Sequence, residues 1–276
     1  MKILIAGCGY IGTALGERLV QSGAEVWGLR RNEEALKKIS ELGIQPLKAD
    51  LLDPGTLRDL PVVDAVVLCQ GLSRESDSYQ TTYERGTANL MEALKPSLAK
   101  RIILISSTSV YSTNDGSWVD EKIDTKGADE NARCLLAAEK TVLSGGIPSI
   151  VLRLAGIYGP GRNRIQALKT GRMKPELSEI YTNRIHRDDI ISAILLLMQK
   201  GSAGEIYIGA DDLPVTQKEF YTWIFNHMNL NIPDPAPASP ENHRHVSNKR
   251  CSNHKIKTLG FVLKYPTFRE GYAELI

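Results

Sequence analysis

One hexapeptide constrains this chain more than any other. Gly7-Cys8-Gly9-Tyr10-Ile11-Gly12 follows the apolar run Lys2–Ala6 and opens an amphipathic stretch from Ile11 to Ser22. A strand, a glycine turn and a helix in that order have a mechanism behind them. Gly7 makes the tight turn, Gly9 lets backbone approach a pyrophosphate, and Gly12 lets the helix pack on the strand. The helix N-terminus then offers free N–H groups and the positive end of its dipole to the phosphates, which makes Tyr10 and Ile11 candidate cofactor-binding residues.

The same alternation continues. Short β-branched or apolar runs at Lys2–Ala6, Glu25–Leu29, Gln45–Lys48, Asp64–Cys69, Arg101–Ser106 and Ser149–Leu154 are separated by helical patterns. Those patterns lie at Ile11–Ser22, Glu33–Leu42, Tyr79–Leu94 and Asp129–Leu143. Strands that are nearly all apolar belong to a sheet covered on both faces, so the expected fold class is α/β with a doubly wound parallel sheet. Beyond Leu154 the regularity weakens. A helix is expected at Arg187–Lys200, a strand at Glu205–Ile208, a helix at Thr216–Met228 and a short helix at the end. Four prolines between Ile232 and Pro240 make that stretch an extended connector.

Composition narrows the function classes. Of 276 residues, 34 are Lys or Arg and 32 Asp or Glu, a net charge of +2. Interspersed charges of both signs give no field to hold nucleic acid or an anionic membrane, and no apolar stretch reaches the roughly 20 residues of a bilayer span. Neither partner is expected. The four cysteines (Cys8, Cys69, Cys134, Cys251) lie far apart, without zinc-ligand spacing, so no metal is expected either. With no export signal in the first residues, the expected location is the cytoplasm.

The strand Glu25–Leu29 runs into Arg30-Arg31-Asn32, where a site for NAD(H) would place a carboxylate against the ribose 2′-hydroxyl. Two guanidinium groups suit a 2′-phosphate instead, which argues for NADP(H) over NAD(H). The plain alternative is a pair of solvated arginines opening the next helix. Asp50-Leu51 can meet the adenine, or Asp50 can simply start the turn before Asp53-Pro54-Gly55.

Taken together, these residues resemble the extended short-chain dehydrogenase/reductase family in its NAD(P)-dependent epimerase/dehydratase branch, and within it a bacterial, atypical subgroup. The likeness is carried by the glycine loop, Asp50-Leu51, Gly86-Thr87-Ala88-Asn89-Leu90, Ser106-Ser107-Thr108-Ser109-Val110-Tyr111, Leu152-Arg153-Leu154, Gly156-Ile157-Tyr158-Gly159-Pro160-Gly161 and Ile185-His186-Arg187-Asp188-Asp189. It implies a Rossmann domain over 1–158, with 187–210 returning to it, and a substrate lobe over 159–186 and 211–276. It also implies hydride chemistry at a nicotinamide ring, with Ser107 as the serine that positions the substrate. The fourth helix and the one bearing Asn131 form a dimer face in many relatives, which makes a homodimer an expectation by analogy.

The departure from the family pattern is as informative. Typical members move the proton with a Tyr-x-x-x-Lys pair; aligned through Leu136-Ala137-Ala138-Glu139, this chain has Asn131 and Leu135 at those positions. An amide has no proton to exchange near neutral pH, and a leucine supplies no charge to lower a phenol pKa. Tyr83 stands where the family carries an asparagine. Tyr111 and His186 are therefore the expected replacement proton carriers, ahead of Asp188, Lys126 and Lys140. Each has a structural alternative: packing for Tyr111, helix capping for His186 and Asp188. On the substrate side, Arg162 and Arg184 sit inside family-like motifs and suit a phosphate or carboxylate, as on a sugar nucleotide or similar hydroxyl or carbonyl metabolite. The expected function is thus an NADP(H)-dependent epimerase, dehydratase or reductase with a noncanonical proton donor. The alternative is a regulator that binds NADP(H) without ordinary turnover.

Overall fold

The computed structural model describes all residues except 73–76, 96–98, 128 and 233–246. In chain order the elements begin with β1 (Lys2–Ala6), α1 (Tyr10–Gln21), β2 (Glu25–Arg30), α2 (Glu33–Ser40), β3 (Gln45–Lys48) and β4 (Ala65–Leu68). Then come α3 (Gly86–Leu94), β5 (Arg101–Ser107), β6 (Trp118–Val119), α4 (Glu130–Leu143), β7 (Ser149–Leu154), β8 (Gly156–Tyr158), α5 (Ile165–Lys169), β9 (Tyr181–Thr182) and β10 (Arg184–His186). The chain continues with α6 (Arg187–Lys200), β11 (Ile206–Gly209), β12 (Val215–Thr216), α7 (Gln217–His227), β13 (Arg250–Cys251), α8 (His254–Thr258) and α9 (Phe268–Ala273). The chain divides into two compact units: 1–110, 126–153 and 194–207 form the first, and 111–125, 154–193 and 208–276 the second.

The six expected strands and four expected helices of the first half are all present, and the α/β doubly wound sheet is borne out. Seven strands lie in the order β11-β7-β5-β4-β1-β2-β3, with parallel registers such as Ala6↔Leu29 and Ala6↔Leu68. The order reverses between β1 and β4, which opens the crevice where doubly wound sheets hold ligands beyond their carboxyl ends. Four of the five residues of β1 are buried. Leu4 and Ala6 join a core with Leu90, Leu94, Ala138 and Val142 on one face, while Ile5 meets α1 on the other. Every apolar side chain of a strand covered on both faces leaves water, about 1.5–3 kcal/mol for each large one. That is why β1 does not alternate.

The helix expected at Tyr79–Leu94 is not uniform, because residues Gln80–Arg85 form a π-helical turn before α3. Side-chain caps hold several helix starts: the Asn32 side chain accepts from the Ala35 N–H, and Asp129 from the Ala132 N–H.

The second unit is built from two-stranded pieces: β8 with β10, β9 with β12 and β6 with β13. These six short strands had no pattern long enough to read in the sequence. Its core is aromatic, with Phe220, Phe268, Tyr272 and Tyr158 buried together. Capping boxes from Thr216 with Glu219 and Thr267 with Glu270 start α7 and α9. The end of the chain holds two short helices, α8 and α9, where one was expected. Most of the expected proline connector lies outside the described residues.

Candidate active site

The carboxyl edge of the sheet in the first unit gathers the glycine turn after β1, Gln70 after β4 and Ser107 at the end of β5. Gly7 has φ +85°, and a Cβ there would lie 2.8 Å from the Gln70 Cα and N. Both the backbone conformation and the space demand glycine. At Gly12 a Cβ would lie 2.8 Å from Ile5 Cγ2 and 3.0 Å from the Gly7 carbonyl oxygen, so α1 can pack this closely only without a side chain. Gly9 is the N-cap of α1, with no side chain capping the helix. Tyr10 and Ile11 form the first turn, so its N–H groups are oriented for an anion. Two bonds brace the turn: the Cys8 N–H donates to the Leu29 carbonyl at 3.1 Å and the Thr13 hydroxyl to the Cys8 carbonyl at 3.0 Å. The Cys8 thiol is pushed up to about 11 by burial and stays protonated.

Arg30 ends β2 beside this turn, and its Nη1 lies 3.2 Å from where a Cβ on Gly9 would be. Arg31 is turned elsewhere. Its Nη1 and Nη2 donate to the two carboxylate oxygens of Asp77 at 3.3 and 3.0 Å, with Asp50 Oδ2 at 3.9 Å. The bond from Asp77 is the main cause that raises the Arg31 pKa. Asp50 also caps its own turn, Oδ1 accepting from the Leu52 N–H at 3.0 Å. The Leu51 carbonyl accepts from Asn89 Nδ2 at 2.8 Å, which ties that turn to α3.

Sequence reasoning missed Gln70. Its Nε2 donates to Thr87 Oγ1 at 2.6 Å, while its buried Oε1 has no partner among the described residues. A buried acceptor left unpaired costs about 1–3 kcal/mol, which marks it as a group awaiting a donor. The available signal was its place directly after a strand at the topological switch.

Ser107 is half-buried, its Oγ accepting from the Ser109 N–H at 3.1 Å. Beneath it, Glu139 of α4 joins Arg153 Nη2 at 2.6 Å and Nε at 3.0 Å and accepts from Ser106 Oγ at 2.6 Å. This buried network clamps α4 to β5 and β7. On α4 itself Asn131 is exposed, while Leu135 is buried at 2% exposure as part of the helix's packing face. Lys126 and Lys140 are exposed.

The remaining expected residues lie in the second unit. Tyr111 is fully buried. His186 is 3% exposed, with its ring 4.1 Å from Tyr265 and 5.2 Å from Tyr158. Its Nδ1 accepts from the Asp188 N–H at 3.1 Å, so the ring caps the first turn of α6, and burial lowers its pKa. A neutral ring with Nδ1 already occupied is a capping histidine in this geometry. Asp189 binds the Lys264 and Tyr265 N–H groups at 2.6 and 3.2 Å, and burial raises it to about 6.

Arg184 stacks on Phe220, its guanidinium carbon 3.4 Å from the ring centroid, and donates to Thr182 Oγ1 at 2.6 Å. Desolvation lowers its pKa, and the neighbouring carboxyl of Asp211 is pushed up to about 8 by its own burial. Arg162 is exposed, and its backbone pairs with that of Gly159. Among the described residues no helix is long and apolar enough to cross a membrane.

Comparison with known proteins agrees with this geometry. The NAD dependent epimerase/dehydratase family matches residues 3–209. Protein YeeZ of Escherichia coli strain K12 is 26% identical over 272 residues, 96% of either chain. A 4-hydroxy-2-methyl-3-oxo-4-farnesyl-3,4-dihydroquinoline-1-oxide ketoreductase of Stigmatella aurantiaca is 26% identical, covering 83% of this chain and 75% of its own. Among solved structures, one from Methylobacillus flagellatus, provisionally described as an NAD-dependent epimerase/dehydratase, is 33% identical with TM-score 0.83 over 99% of this chain and 97% of its own.

Proposed function

Because this chain belongs to the NAD dependent epimerase/dehydratase family, we propose that it is an NADP(H)-dependent epimerase, dehydratase or reductase whose proton donor is not the usual pair on α4. The single observation that carries the reading is the turn at Gly7, closed on Gln70 so tightly that no side chain fits, with Arg30 leaning over Gly9. Gly7, Gly9, Tyr10, Ile11 and Gly12 would hold the pyrophosphate, Arg30 and Arg31 the 2′-phosphate, and Asp50 and Leu51 the adenosine side. When bound, the coenzyme supplies or accepts a hydride.

The chain's own residues do the rest. Ser107, at the carboxyl end of β5, offers a hydroxyl to the substrate's hydroxyl or carbonyl oxygen. With an exposed amide at Asn131 and a buried hydrocarbon at Leu135, neither position of the family pair moves a proton, so another residue carries it. His186, whose Nδ1 caps α6, and Tyr111, which is fully buried, are the two titratable side chains to test for that role. Arg162 and Arg184 support a substrate carrying phosphate or carboxylate, a sugar nucleotide being the leading class.

Two measurements test the reading. NADP⁺ raises the melting temperature more than NAD⁺ at equal concentration; equal or reversed shifts remove the arginine argument. NADPH offered with sugar nucleotides and small carbonyl compounds gives turnover that falls at least a hundredfold in Ser107→Ala, and an unchanged rate excludes Ser107 from the mechanism.

A further inference from the structure

The arginine proposed to choose the coenzyme already has an anion on it. Both carboxylate oxygens of Asp77 meet the outer nitrogens of Arg31, at 3.0 and 3.3 Å. The Asp77 side chain is only 5% exposed against 22% for Arg31. This is the two-pronged geometry in which a guanidinium holds a phosphate. Asp50 Oδ2 at 3.9 Å brings a second carboxylate to the same cation. Among the described residues, Arg31 therefore has two carboxylates within 3.9 Å before any ligand arrives.

We propose that Asp77 is an internal counter-anion that competes with the 2′-phosphate for Arg31 and thereby limits how strongly the protein discriminates NADP(H) from NAD(H). The inference rests on the coenzyme reading above. A 2′-phosphate carries a charge of about −1.5 to −2. To share Arg31 it either displaces a largely desolvated carboxylate from its partner or lies on the opposite side of the guanidinium, roughly 7 Å from that carboxylate. Both arrangements weaken binding of the phosphorylated coenzyme. NAD(H), which has only a hydroxyl at that place, is spared. Arg30, placed over Gly9, is left as the cation that recognises the phosphate without an acidic competitor of this kind among its described contacts.

Isothermal calorimetry on the full chain, stripped of nucleotide, decides the matter. Asp77→Asn keeps the shape and one of the two acceptor oxygens but removes the charge. It tightens NADP⁺ binding roughly fivefold, the weight of one carboxylate on a phosphate at that separation in a water-like medium, and shifts NAD⁺ affinity less than twofold. Asp77→Ser is the second variant, and an unliganded melting curve for each confirms that it folds. Unchanged or weaker NADP⁺ binding in both folded variants overturns the proposal, because Asp77 would then be orienting Arg31 or be irrelevant to it. If the unmodified protein prefers NAD⁺ yet Asp77→Asn gains on NADP⁺, the competition stands and the proposed preference falls. If the unmodified protein prefers NADP⁺ and neither variant gains, the competition alone falls.

Discussion

Glu139 and Arg153 offer the sharpest test of how this fold holds its chemistry in place. Their side chains are 3% and 4% exposed and joined by two hydrogen bonds, at 2.6 and 3.0 Å, with Ser106 Oγ as a third contact on the carboxylate. Breaking such a pair from one side leaves a charge buried without its partner, a loss of about 3–5 kcal/mol. Glu139→Leu takes the carboxylate from the Arg153 guanidinium and from the Ser106 hydroxyl together, so it belongs at the upper end. Arg153→Met leaves a carboxylate that keeps Ser106 and belongs nearer the lower end. The double variant replaces the pair with hydrocarbon of similar volume, which costs far less than the sum and can be neutral. Coupling energy in the cycle is then about 3 kcal/mol or more. Urea unfolding at neutral pH measures all four proteins, and each single variant melts roughly 10 °C lower, taking about 2–4 °C per kcal/mol for a chain near this size. Single variants that lose less than about 1 kcal/mol, or a double variant equal to their sum, would refute the reasoning. The pair clamps α4 to the strands on either side of it, so the Ser107 hydroxyl also shifts when it is broken; near-attack geometry is sensitive to about 1 Å.

Asp211 gives a pH signature. Its carboxyl is raised to about 8, chiefly by burial, with Arg184 opposing the shift. A raised folded pKa means stability that is complete below the unfolded value near 4 and is lost as pH climbs toward 8. Asp211→Asn therefore flattens the fall of melting temperature between pH 4.5 and 8; parallel curves for the two proteins would dismiss the assignment. Gly7→Ala places a methyl group 2.8 Å from the Gln70 backbone at φ +85°. It costs about 1–2 kcal/mol from backbone conformation alone and abolishes calorimetric binding of either coenzyme at millimolar concentration, so retained binding would count against the cradle.

The sequence by itself determined the fold class and the glycine turn between β1 and α1, because both rest on local physics. A strand, a glycine turn and a helix are written in neighbouring residues, and the apolar runs of β1, β4, β5 and β7 announce a sheet covered on both faces. It also put Asn131 and Leu135 where the family resemblance expects a Tyr-x-x-x-Lys pair, which is a matter of residue identity. What only the tertiary structure decided lies in contacts between distant residues. Asp77, 46 residues away, sits on Arg31; Gln70 closes on Gly7; and His186 turns its Nδ1 to its own helix and its ring to aromatic neighbours. The six two-residue and three-residue strands of the second unit were illegible for the same reason, since a pair that short has no period of its own and forms only because the surrounding core holds its partner in place.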